Sequence, residues 1–132
     1  MERFTHEFDR TVQDLIIDVT VYGNYQARKV KALIDTGCTN TSISIRLAKD
    51  MQLQPISTKP MRNASNQVLS CHVYRVSMAI GDNVHLPAGE ITEYPLETDK
   101  FDVLIGMDIL CLCDFAVTNS DGKSKLAIIY NN

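Results

Sequence analysis

The residues best suited to chemistry lie in the segment Asp35-Thr36-Gly37, which directly follows the apolar run Ala32-Leu33-Ile34. The apolar run predicts a buried strand, so Asp35 would lie at the mouth of a rigid core element. A carboxylate in that place suits general acid or base chemistry, and Gly37 lets backbone approach a bound molecule closely. The tripeptide is also typical of an ordinary turn, and taken alone it favours that simpler interpretation.

A second motif, Leu104-Ile105-Gly106, favours the functional interpretation of Asp35. It ends another apolar strand and runs into a short helix. Two apolar residues followed by glycine, after an earlier apolar-Asp-Thr-Gly, form the pair of motifs found in the retropepsins, the single-domain aspartic proteases. The sequence resembles this family over about residues 15 to 118, and most closely its bacterial retropepsin-like members. The matching residues are Ala32 to Gly37, Thr41 to Ser44, Asp102 to Leu110 and Asp114 to Val117.

The resemblance implies a closed, mainly β fold, the acid-protease barrel, in which Asp35 lies at a subunit interface. The chain has one Asp-Thr-Gly, whereas hydrolysis of this type needs two carboxylates about one water apart. A symmetric homodimer would supply the second Asp35 across a two-fold axis. One carboxylate would act as the base on water while its protonated partner donates to the scissile carbonyl. The resemblance therefore predicts an aspartic endopeptidase that acts on peptide or protein substrates.

By the same resemblance, three further residues support the site. Thr36 would form a hydrogen bond across the interface, and Gly37 would present its backbone to the substrate. Cys38 stands where family members often carry Ala, Ser or Thr, and its side chain is expected near the outer oxygen of Asp35. Leu104, Ile105 and Gly106 would form the structural motif behind the site.

A polar cluster, Asn63-Ala64-Ser65-Asn66, lies between two extended segments and predicts the tip of a long hairpin. The resemblance implies that this hairpin is the flap, which closes over an extended peptide. Two positions depart from the retroviral pattern. Thr39 and Met107 stand where retroviral members carry an acidic residue and an arginine that pair with each other.

The elements that must position these residues are mostly short strands. Alternating apolar residues predict strands, and the Asp121-Gly122 turn predicts a closing hairpin. Ser44 is expected to cap one short helix, and Asp102 and Asp108 to lie on solvated ends of elements. The predicted strands cover about residues 15–22, 27–34, 68–80, 84–91, 101–106 and a hairpin at about 114–130, and the helical segments about 45–51 and 108–113. Many short strands and one or two short helices favour a mainly β barrel or sandwich.

Length and composition set the wider limits. The 132 residues predict a single domain, 1–132, with enough apolar material (45%) for a core. The net charge of −3, without a basic run, argues against nucleic-acid binding, and no stretch is apolar enough to span a membrane. The polar start lacks a signal-peptide core, and the four cysteines are expected to be free thiols in the cytoplasm. We expect no metal and no cofactor, because the histidines and cysteines show no ligand spacing.

Two alternatives to the protease remain at this point. A retropepsin-like fold could have lost turnover and kept its cleft or its dimer as a peptide-binding or dimerisation module. The chain could also be an unrelated small β-barrel in which Asp35 is only a turn residue.

Overall fold

A computed structural model describes residues 1–131, in which ten strands and two short helices form two sheets. The elements in chain order are β1 (Glu2–Glu7), β2 (Ile16–Gly23), β3 (Gln26–Ile34), β4 (Ser42–Ser44), α1 (Ile45–Asp50), β5 (Ser57–Arg62), β6 (Val68–Ile80), β7 (Val84–Tyr94), β8 (Val103–Ile105), α2 (Met107–Leu110), β9 (Cys113–Ser120) and β10 (Lys123–Tyr130).

The larger sheet closes into a six-stranded barrel. Its strands follow the order β2-β3-β8-β4-β7-β6, and β6 returns to pair with β2. The long strand β6 makes this closure possible, because its second half pairs with β2 while its first half pairs with β5 outside the ring. All neighbours are antiparallel except β3–β8 and β4–β7, which are parallel.

The barrel encloses a core supplied by alternate residues of its strands. In β2, Ile17, Val19 and Val21 are buried, while the residues between them are partly exposed. This period of two is the pattern of a strand with one face in the core. Helix α1 adds Leu47 and Ala48 to the same core.

The chain ends form a separate three-stranded antiparallel sheet in the order β1-β10-β9. Leu126 and Ile128 of β10 are fully buried and belong to the barrel's core, so the small sheet packs on the barrel. Glu2 ties β1 to the start of β7, since its carboxylate accepts from the His85 backbone N–H at 2.8 Å. The second Glu2 oxygen lies 2.8 Å from His85 Nδ1, and these hydrogen bonds lower the pKa of the Glu2 carboxyl.

The prediction of a closed, mainly β barrel is confirmed, and most predicted elements are present. Helix α1 begins after Ser44, whose hydroxyl accepts from Leu47 N–H at 3.0 Å, as the capping prediction requires. The second hairpin arm, 68–80, has the predicted bounds. Strands β1 and β4 were not predicted, because β1 is polar and β4 has only three residues.

Candidate active site

Asp35 leaves the barrel at the end of β3, beside the end of the parallel strand β8. Ile34 lies opposite Ile105, and the Asp35 N–H donates to the Ile105 carbonyl at 2.9 Å. The two predicted motifs, Asp35-Thr36-Gly37 and Leu104-Ile105-Gly106, are therefore side by side. A parallel pair carries both chain segments to the same end of the barrel, so each motif supports the other.

The Asp35 carboxylate is held in a tight turn. Its Oδ1 accepts from the Gly37 N–H at 2.9 Å, and its carbonyl accepts from the Cys38 N–H at 3.2 Å. Such an aspartate turn fixes the side chain relative to its own backbone. Asp35 is half-buried, whereas Thr36 and Gly37 are exposed. The turn therefore presents a fixed carboxylate and an accessible backbone at the surface of one chain.

The loop after this turn is fastened to the start of α2. The Met107 N–H donates to the Cys38 carbonyl at 2.7 Å, and the Asp108 N–H donates to the Thr39 carbonyl at 3.1 Å. Gly106 permits this close approach, because a Cβ at that position would lie 2.7 Å from the Cys38 carbonyl oxygen. The predicted structural motif thus acts through backbone contact with the Asp35 loop.

The Asp108 side chain also joins the Asp35 loop to the start of α2. Its Oδ1 accepts from the Thr41 hydroxyl at 2.6 Å and its Oδ2 from the Thr41 N–H at 3.0 Å. The Thr41 hydroxyl oxygen accepts in turn from the Gly106 N–H at 3.1 Å. We call this set, Thr41, Gly106 and Asp108, the loop–helix junction. Thr41 is buried, so the junction satisfies polar groups that water does not reach.

Asp102 and Asp108 lie at the ends of elements, as expected, and Asp108 is exposed, but both carboxylates also make hydrogen bonds that the sequence did not predict. Asp102 accepts from the Ser44 hydroxyl at 2.7 Å and pairs with Arg46 Nη2 at 2.6 Å, which links β8 to the start of α1. Both carboxylates join segments that are far apart in the sequence. A long-range hydrogen bond of this kind leaves no local pattern, so sequence reasoning had no signal for it.

Cys38 is half-buried, and its thiol points to the Asn40 carbonyl with Sγ at 3.2 Å from that oxygen. The hydrogen-bond partner of the thiol is therefore a backbone carbonyl of its own loop. The hydrogen bond to the Asp35 carboxylate comes from Gly37 instead.

The predicted hairpin is formed by β5 and β6, with its tip between Arg62 and Val68. Asn63 Oδ1 accepts from the Ser65 and Gln67 N–H groups at 3.0 and 2.9 Å. Asn66 adopts φ of 64°, and its carbonyl accepts from Arg62 Nη1 at 3.1 Å. Ala64 is exposed at the tip. Asparagine side chains thus shape a tip that has no glycine.

In residues 1–131, no group of three or more His, Cys, Asp or Glu side chains is arranged to hold a metal ion. Over the same residues, no helix is long and apolar enough to cross a membrane.

Comparison with protein families decides the relationship. The model of the family described as "gag-polyprotein putative aspartyl protease" matches residues 18–111, which include both motifs. The chain belongs to this family. The retropepsin resemblance is confirmed, and the alternative of an unrelated small barrel is wrong.

One solved structure shares the fold, and a second is reported beside it for its similarity alone. A retropepsin-like aspartic protease from Rickettsia conorii is 18% identical with a TM-score of 0.58, covering 97% of this chain and 94% of that one. The retroviral protease-like domain of Ddi1 from Leishmania major is 19% identical with a TM-score of 0.43, covering 76% of this chain and 79% of that one. No curated protein sequence matches significantly.

The close approach at Gly106 gives a first prediction. Gly106 has an extended backbone (φ −97°), so Ala fits its conformation, but the new Cβ would meet the Cys38 carbonyl. We expect Gly106→Ala to lower the free energy of unfolding by about 1–3 kcal/mol. Gly89→Ala is the matched control, since its Cβ would meet nothing within 4 Å. Equal denaturant midpoints for both variants would contradict this account of Gly106.

The loop–helix junction gives a second prediction. Asp108→Asn keeps the shape but turns one acceptor into an amide donor, so one Thr41 donor loses its partner. Asp108 is exposed at the surface, which limits the expected loss in unfolding free energy to about 1–2 kcal/mol. The exposed Asp82→Asn serves as the control and should change thermal stability little. Equal melting temperatures for Asp108→Asn and Asp82→Asn would show that the loop–helix junction does not stabilise the fold.

Proposed function

We propose that this protein is an aspartic endopeptidase whose catalytic dyad consists of Asp35 from each chain of a homodimer. The observation that carries the proposal is the fixed carboxylate of Asp35 in an exposed turn, beside the second motif of the family. The family assignment supports peptide hydrolysis as the chemistry. One chain brings one such carboxylate, so a two-fold axis beside Asp35 is required to complete the site.

The chemistry follows from two carboxylates that share a proton. Like charges at this distance do not both ionise, so one Asp35 is ionised and the other is protonated. The ionised carboxylate takes a proton from water as the water oxygen bonds to the scissile carbon. The protonated carboxyl gives its proton to the carbonyl oxygen, which yields a neutral tetrahedral diol. Collapse of the diol breaks the C–N bond: the proton held by the first carboxylate passes to the leaving nitrogen, and a diol hydroxyl gives its proton to the second carboxylate. The products are an acid and an amine, and the dyad again holds one proton.

The other site residues have roles in binding and positioning. In this proposal Thr36 bonds the partner's loop and the Gly37 backbone pairs with an extended peptide, and the exposure of both residues supports these roles. The hairpin around Asn63–Asn66 serves as the flap that excludes water during reaction. The hydrogen bonds of Asn63 at its tip hold the local shape of the turn that closes the β5–β6 hairpin.

The same proposal covers the setting of the enzyme. Residues 1–132 act as one catalytic domain that needs no cofactor, with a peptide or protein as substrate. Within residues 1–131 all four cysteines are free thiols, which suits the reducing cytoplasm. The thiols of Cys71 and Cys113 are protonated at neutral pH, because burial raises the pKa of each.

Asp35→Asn tests the catalytic role directly. The amide keeps the size of the side chain and an oxygen for the Gly37 N–H, so fold and dimer should persist. Peptide cleavage should fall by at least about 10²-fold, because each dimer loses its base and its acid. Asp82→Asn should retain activity. Full activity of pure Asp35→Asn protein would exclude the protease mechanism, and an inactive wild type would favour the alternative, a peptide-binding or dimerisation module.

A mixing experiment tests the shared dyad. Activity per chain should fall on dilution below the dimer dissociation constant, because single chains lack the second carboxylate. Excess Asp35→Asn chains should also inhibit the wild type by forming mixed dimers, whereas excess Asp82→Asn chains should not. Constant activity per chain at concentrations where sedimentation detects monomer would refute a site shared between chains.

A further inference from the structure

A cleft of about 550 Å³, which we call the β1–β2 cleft, opens between the terminal sheet and the barrel. One wall is β1, and the other is formed by β2, β3 and the turn 81–83 that joins β6 to β7. Clefts of roughly 300–1,000 Å³ commonly hold ligands. Among residues 1–131, those that line this cleft include neither the Asp35 turn nor the hairpin tip 63–66, so it is separate from the candidate active site.

The β1–β2 cleft concentrates positive charge in an acidic chain. The whole chain has a net charge of −3, whereas the cleft brings three permanent cations together with two carboxylates. The cations are Arg3, Lys29 and Lys31, and the carboxylates are Asp18 and Asp82. A local excess of positive charge that is contrary to the charge of the chain favours an anionic ligand.

Asp18 positions the two lysines on the outer face of the barrel. Its Oδ1 accepts from Lys31 Nζ at 2.6 Å, and its Oδ2 lies 3.9 Å from Lys29 Nζ. The hydrogen bond from Lys31 lowers the pKa of the Asp18 carboxyl, which is therefore ionised at neutral pH. The lysine side chains are 58% and 68% exposed, and an ammonium group has three donors. Each lysine thus keeps donors for a ligand.

The arrangement of these charges fits an extended peptide better than one compact anion. Lys29 and Lys31 are two residues apart on β3, which places them about 7 Å apart along the strand. Alternate residues of an extended peptide have the same spacing. A compact anion would have to bridge the two ammonium groups where the Asp18 carboxylate already lies. Two carboxylates spaced along a peptide can instead each bond one lysine, and Arg3 on the opposite wall offers a third partner.

The aromatic rings of the cleft do not suit it to single-stranded nucleic acid, which binds by stacking its bases on aromatic side chains. The Phe4 ring packs on Gly81, since a Cβ on that glycine would lie 2.6 Å from Phe4 Cδ1. The His6 ring packs edge-on against Phe8, with the ring centroids 4.6 Å apart. An acidic peptide needs only the cations, which are exposed.

We propose that the β1–β2 cleft binds an extended acidic segment of a protein substrate, with carboxylates on alternate residues paired with Lys29 and Lys31. Lys31 precedes Asp35 by four residues, which is about 13 Å along an extended strand. An extended linker of ten residues spans about 33 Å, so one substrate chain can reach both places. The inference rests on the proposed function, since it names the substrates that the protease would prefer.

Binding is tested on Asp35→Asn protein, so that cleavage does not interfere. The probe is a fluorescently labelled peptide of repeated Glu-Ala, whose affinity is measured by anisotropy. Adding Lys29→Gln and Lys31→Gln together should raise the dissociation constant at least about fivefold at low salt, because two ion pairs are lost. Adding Lys49→Gln, an exposed lysine of α1 outside the cleft, should leave it unchanged. High salt should weaken binding to the unaltered cleft.

Asp18→Asn provides a variant with the opposite expected sign. It removes the carboxylate that competes with the ligand for both lysines, so the dissociation constant should fall about threefold at low salt. General damage to the surface would weaken binding instead. Weaker binding in Asp18→Asn overturns the proposal, and so does equal binding by the Lys29→Gln/Lys31→Gln and Lys49→Gln proteins.

Two further probes test which anion the cleft takes. A peptide with the same composition, but with its glutamates in one block and its alanines in another, should bind more weakly than the alternating peptide. Inorganic phosphate at matched ionic strength should not displace the alternating peptide. Equal affinity for the two peptides, displacement by phosphate, or tighter binding of a single-stranded oligonucleotide overturns the acidic-peptide assignment.

Cleavage kinetics test the role in substrate choice. A peptide that the wild type cleaves is joined through ten residues to the Glu-Ala repeat or to a Gln-Ala repeat. The acidic version should have the lower KM with an unchanged kcat, and Lys29→Gln/Lys31→Gln should remove the difference, because the cleft contributes binding and not chemistry. Equal KM values in the wild type overturn the role.

Failure of the cleft and failure of the proposed function give different results. A wild type that cleaves peptide, with an Asp35→Asn protein that does not bind the Glu-Ala peptide, overturns the cleft and leaves the protease. A wild type that cleaves no peptide, with Glu-Ala binding that depends on Lys29 and Lys31, contradicts the proposed function and supports the cleft as a binding site.

Discussion

The contact on which the site depends is the loop–helix junction. There the Asp108 carboxylate accepts hydrogen bonds from both the N–H and the hydroxyl of Thr41. The Thr41 hydroxyl is at the same time the acceptor for the Gly106 N–H, so one buried side chain joins β8 and α2 to the Asp35 loop. Hydrogen bonds to an ionised acceptor are stronger than neutral ones. Because the loop has no regular secondary structure, these bonds and the parallel β3–β8 pair are what fix the position of Asp35.

Backbone hydrogen bonds beside this junction connect the two segments that the acidic–arginine pair connects in retroviral members. Thr39 and Met107 occupy those two positions, and their side chains offer no such ion pair. Backbone hydrogen bonds join the same two segments instead, since the Met107 N–H donates to the Cys38 carbonyl and the Asp108 N–H donates to the Thr39 carbonyl. The link is made within one chain and with few exposed charges, so salt should affect it little. Because these bonds lie within one chain, they do not hold two chains together, and the proposed dimer needs other contacts.

Local signals predicted the parts of the fold that local physics decides. Ser44 as a helix cap and Asp121-Gly122 as a hairpin turn act over a few residues, and both are present. The distant partners of Asp102 and Asp108 could not be predicted, because their hydrogen bonds span 58 and 67 residues. Strand β1 was missed for a related reason. Its polar sequence has no strand pattern, and it is a strand because β10 offers it an edge.

The distribution of charge over the sheet edges is consistent with the half-site proposed above. On that proposal, a chain that carries one catalytic carboxylate must meet its copy, yet must not add strands at random. Charged residues on β1, and proline with charge on β5, close two routes to open-ended association. Within residues 1–131, β9 is the third strand with a partner on one side only, and its edge lacks this protection because Asp114 is its one charged residue and Val117 is exposed.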